Sequence, residues 1–98
     1  MACDRWLGKI VEWLRAKGLY EKTLVYVMTD HGFDVRGFGH SGTPLSWLAT
    51  NDKAVTRGGI LADVPATILA RLGLDVLALK PALLGRPLTA AGARLPAP

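Results

Sequence analysis

Residues 28 to 40 read MTDHGFDVRGFGH and hold both histidines of the chain, His31 and His40, with Asp30 beside the first of them. A carboxylate and an imidazole are ordinary ligands for zinc, and also for manganese or iron. Adjacent residues of an extended strand point to opposite faces, so Asp30 and His31 meet one ion only if the chain turns between them. Gly32 permits that turn, and Gly37 and Gly39 let the loop fold back and bring His40 near. Asp34 is a further candidate ligand. A structural reading stands beside the metal one: an Asp after a strand also caps turns, and a loop histidine is often only a surface side chain.

The elements that must position this loop can be read on either side of it. TLVYVMT, residues 23 to 29, is β-branched, aromatic and almost wholly apolar, which predicts a central strand of a parallel sheet. In open α/β sheets ligands bind beyond the carboxyl ends of strands, where Asp30 and His31 fall. Before the strand, Leu7, Ile10, Val11 and Leu14 lie on one helical face widened by Trp6 and Trp13. Asp4 as N-cap and Gly18 as stop predict a helix over 4–17. After the loop, LSWLAT at 45–50 predicts a second strand, NDK at 51–53 a turn, and Gly58–Gly59 a further break. Another helix begins near Asp63, with Pro65 in its first turn and Gly73 at its end. From about Thr89 the chain reads as a loose tail.

Helix, strand, loop, strand and helix make an α/β pattern, with parallel strands and flanking helices. Two strands and two helices supply few partners for Trp6, Trp13, Trp47 and the strands, so the expected sheet leaves apolar edges open. Such a chain is expected to be one portion of a larger α/β unit, or to associate with itself or with a partner chain that covers those edges.

The bulk composition narrows the function classes. The chain has 98 residues, half of them hydrophobic and a fifth charged, which suits one globular domain. Its net charge of +4 comes from scattered lysines and arginines with no nucleic-acid motif, so no nucleic-acid partner is expected. Cys3 is the one cysteine, which excludes an internal disulfide and a multi-cysteine zinc site. No apolar run reaches the length of a membrane span, so no membrane partner is expected. Asp4, Arg5, Lys9 and Glu12 do not read as a secretory leader, and localisation stays open.

The ordered series GLYEKTLVYVMTDHGF, GH, LADVPATILARLGLD and LLGRPL resembles the C-terminal part of the alkaline phosphatase superfamily. That group includes nucleotide pyrophosphatase/phosphodiesterases, cofactor-independent phosphoglycerate mutases and sulfatases. The resemblance implies a partial three-layer sandwich over residues 1–88, with 89–98 as the tail. It implies that Asp30 and His31 hold one metal of a two-metal site and His40 the other, zinc first and manganese as the second choice. The substrate class implied is a small-molecule phosphate ester. Asp-His-Gly fits the phosphatase and phosphodiesterase branches better than the sulfatases, which tend to have Asn where His31 stands.

The departures matter equally. The family's nucleophilic Ser or Thr, its early metal-binding Asp and its Asp-x-x-x-His element have no counterpart here, and no histidine precedes His31. Thr23, Thr29, Ser41, Thr43 and Thr50 are present, but no motif marks any of them as a nucleophile. Two-metal phosphoryl transfer needs both ions and an activated nucleophile, so the isolated chain is expected to turn over little. The alternatives are a catalytically inactive metal-binding or interaction module, and a small α/β domain without metal.

Overall fold

A computed structural model describes residues 2–32 and 45–95. Its elements in chain order are helix α1 (Ala2–Ala16), a 3-10 turn (Tyr20–Lys22), strands β1 (Tyr26–Met28) and β2 (Leu48–Thr50), helix α2 (Asp63–Arg71) and a second 3-10 turn (Val76–Ala78).

Both helices form where the apolar spacing places them, and both stop at glycine. Gly18 and Gly73 have φ of +66° and +89°. Around Gly18, Leu19 N–H donates to Leu14 C=O (2.8 Å) and Gly18 N–H to Arg15 C=O (3.0 Å). The same pair recurs at Gly73, with Leu74 donating to Leu69 and Gly73 to Ala70. This is the Schellman closure, which satisfies the last carbonyls and favours a residue without Cβ. α1 starts earlier than expected, so Asp4 sits inside its first turn and not at its cap.

The parallel three-layer sandwich expected from the sequence is not what these residues build. β1 and β2 pair antiparallel, with Tyr26 opposite Thr50, Val27 opposite Ala49 and Met28 opposite Leu48. Among the described residues they are the whole sheet. The side chains just past β2 account for this direction. Antiparallel pairing sets Asn51 beside the start of β1, where its Oδ1 accepts from Val25 N–H (2.8 Å) and its Nδ2 donates to Thr23 C=O (2.9 Å). A parallel pairing would carry Asn51 to the far end of β1 and leave that backbone without these partners. An apolar run such as TLVYVMT suits a strand buried on both faces, yet Tyr26 and Val27 are half-buried and Met28 is exposed.

The small core lies between α2 and the segment that follows it. Val64, Ala66, Val76 and Leu88 are its buried apolar residues. Thr67, fully buried, joins the two sides: its hydroxyl donates to Asp63 C=O (2.7 Å) and accepts from Leu88 N–H (2.8 Å). Gly85 passes so close to α2 that a Cβ there would lie 1.8 Å from Ala62 O.

Candidate functional site

Asp30 and His31 follow Thr29, the residue after β1 whose N–H still reaches Trp47 C=O across the sheet (3.4 Å). The turn needed to bring them together is present. Asp30 Oδ1 accepts from the backbone N–H of His31 (3.1 Å), which caps the turn. His31 Nε2 lies 3.4 Å from Asp30 Oδ2. On the other side of the ring, Nδ1 lies 2.9 Å from Gly32 O, so a proton on Nδ1 donates to that carbonyl. A proton on Nδ1 held by a backbone carbonyl is the arrangement that second-sphere carbonyls impose on metal-binding imidazoles.

The spacing fits the same chemistry. Zinc bonds to nitrogen and oxygen of about 2.1 Å at a tetrahedral angle set the two donors about 3.4 Å apart. The Asp30 side chain is largely exposed and that of His31 less so, which leaves the carboxylate within reach of a small cation. Capping of the turn by Oδ1 and display of Oδ2 are therefore compatible roles of one carboxylate. Among the described residues no group of three or more Asp, Glu, His or Cys side chains gathers here or elsewhere. His40 and Asp34, the other candidate ligands, lie outside the described residues, as do Ser41 and Thr43.

The described threonines singled out in the sequence are engaged in the fold. Thr23 Oγ1 donates to Leu19 C=O (2.8 Å). Thr29 Oγ1 accepts from Trp47 N–H (3.4 Å), and Thr50 Oγ1 from Asp52 N–H (3.0 Å).

At the start of β1, the end away from Asp30 and His31, lies a polar network for which NDK at 51–53 gives no sign beyond a turn. Asp52 is 5% exposed. Its Oδ2 accepts from the Tyr26 hydroxyl and from Arg71 Nε (3.0 Å), and its Oδ1 from Ala54 N–H (3.0 Å). One carboxylate thus ties β1 to α2. Burial pushes the Asp52 carboxyl upward, but the Tyr26 hydroxyl, the Ala54 amide and Arg71 outweigh it and hold the group below its ordinary range. Burial, reinforced by Asp52, raises the Tyr26 phenol. The available signal was a polar pair directly after a strand with an arginine one helix later, which is weak without knowing the strand direction.

A second network closes the end of α2. Asp63 accepts from Arg86 N–H (2.8 Å), Ile60 N–H (3.0 Å) and Arg57 Nη1 (3.2 Å). Those backbone donors, Arg86 first, lower its carboxyl. Arg57 also donates to the carbonyls of Arg86 and Pro87, so the GRPL segment is held to α2 by its backbone. Comparison of the chain with protein-family models, curated proteins and solved structures finds no match.

Proposed function

We propose that this chain supplies part of the metal site of a metal-dependent phosphoric-ester hydrolase. In this reading Asp30 and His31 hold one divalent cation, zinc or manganese, and His40 belongs to a second. The observation that carries it is the 3.4 Å separation of Asp30 Oδ2 and His31 Nε2, with Nδ1 turned to the Gly32 carbonyl. The ordered likeness of the surrounding segments to the alkaline phosphatase superfamily supports the reaction class. Bound divalent ions polarise phosphoryl oxygens and stabilise the charge of attacking and leaving groups. Asp30 and His31 contribute metal donors, and the nucleophile lies outside these 98 residues.

A second reading, a metal-binding module without catalysis, is favoured by the engagement of Thr23, Thr29 and Thr50 in structural hydrogen bonds. Two measurements test these readings. Zinc titration by calorimetry is expected to give one or two sites, with affinity falling at least about tenfold in Asp30→Ala and in His31→Ala. Zinc binding indifferent to both substitutions refutes the metal assignment. Hydrolysis of nitrophenyl phosphate and bis-nitrophenyl phosphate by the isolated chain with zinc or manganese is expected near background; robust turnover abolished by His31→Ala shows that the nucleophile is on this chain after all.

A further inference from the structure

The chain exposes far more surface than its mass requires. A compact monomer of 10.5 kDa has an accessible area of about 5,400 Å², against 7,920 Å² here. A folded chain of this length has a radius of gyration of about 13 Å, against 15.7 Å. Two apolar features among the described residues contribute to this excess. One is the stripe of α1, where Trp6, Ile10 and Trp13 are 61%, 55% and 56% exposed. α1 buries no residue, and among the described elements it packs only on the 3-10 turn that follows it. The other is a groove of about 490 Å³ between the start of β1 and the last turn of α2. Leu24, Ile68, Leu72 and Leu95 give it an apolar floor, and Ile68 and Leu72 are 40% and 64% exposed.

We propose that the chain forms a two-fold dimer in which α1 of each copy lays its Trp6–Ile10–Trp13 stripe in the β1–α2 groove of the other. The areas select this pairing. The exposed part of the stripe amounts to about 400 Å² and that of the groove to about 270 Å². Reciprocal exchange therefore buries about 1,300 Å² in all, inside the range of stable interfaces, whereas stripe against stripe buries about 800 Å², the size of a packing contact. The exchange is isologous, so it closes as a dimer without leaving a free groove. Docking of α1 into the groove of its own chain is opposed by the Gly18 closure, whose hydrogen bonds fix the direction in which α1 leaves Leu19. Neither Asp30 nor His31 lines either surface, so the dimer stands or falls separately from the metal reading.

Sedimentation of the purified chain over a micromolar concentration series tests it. The wild type is expected to sediment as a dimer; Trp13→Ser and Leu72→Glu each raise the dimer dissociation constant at least about tenfold. Neither residue is in the buried core, so circular dichroism is expected to match the wild type. Without any substitution, a nitroxide on Cys3, the one cysteine, reports a single distance between copies. A wild-type monomer throughout the series overturns the proposal, whether the stripe is shielded by its own groove or open. A dimer insensitive to Leu72→Glu overturns the stripe-in-groove pairing.

Discussion

Replacing Asp52 by Asn keeps the shape of the side chain and removes the charge on which β1 and α2 converge. In the native chain its two oxygens take three donors: Ala54 N–H, the Tyr26 hydroxyl and Arg71 Nε. An amide supplies one acceptor oxygen, so at least one donor is left facing an NH₂ group. The larger loss is the ion pair, with the Asp52 and Arg71 side chains only 2% and 12% exposed. Breaking a buried pair by neutralising one member costs about 3–5 kcal/mol; the remaining solvent contact of Arg71 places the expected value near the lower end, about 3 kcal/mol. For a chain whose whole stability is about 5–15 kcal/mol, this lowers the melting temperature by about 12–24 °C.

The pH dependence gives a second readout of the same substitution. The Asp52 carboxyl is lowered in the folded state, so its contribution is present above its unfolded value of about 3.9 and is lost as pH falls through the folded value. Asp52→Asn should flatten the acid limb of stability below about pH 4. Tyr26 is raised, so its contribution is present below about pH 10 and is lost as pH rises beyond it; Tyr26→Phe should flatten that alkaline limb. Urea unfolding followed by tryptophan fluorescence from acid to alkaline pH measures both. If Asp52→Asn lies within about 1 kcal/mol of the wild type at neutral pH and keeps its acid limb, the buried carboxylate does not hold β1 to α2.

Two further substitutions probe the contact between α2 and the segment after it. Thr67→Val keeps the volume but removes a donor to Asp63 C=O and the acceptor of Leu88 N–H; an unpaired buried N–H makes this cost about 2–3 kcal/mol, read as a lower urea midpoint, with Thr67→Ser close to wild type. Gly85→Ala forces a Cβ to within 1.8 Å of Ala62 O, so either the segment moves away from α2 or the chain fails to fold; a loss of about 3 kcal/mol or more in urea unfolding is expected.

Local features were legible in the sequence because they depend on neighbours in the chain. The 3.6-residue spacing of Leu7, Ile10, Val11 and Leu14 and the glycines at 18 and 73 specify two helices and their ends without reference to anything distant. The Asp30–His31–Gly32 turn is likewise local: the bonds that close it join adjacent residues. Strand direction was not legible. An apolar run such as TLVYVMT is compatible with a parallel or an antiparallel neighbour, and the choice rests on Asn51 reaching Val25 and Thr23 across the sheet.

The sequence by itself therefore determined the two helices, their stops and an Asp–His turn directly after an apolar strand, since each follows from backbone preference and short-range hydrogen bonding. Only the tertiary structure decided that the strands run antiparallel, that Asp52 is a buried clamp on Tyr26 and Arg71, and that the Trp6–Ile10–Trp13 face has no partner within its own chain's described elements. Those outcomes depend on which distant polar groups find partners and which apolar faces fit together, quantities that residue spacing along one chain does not carry.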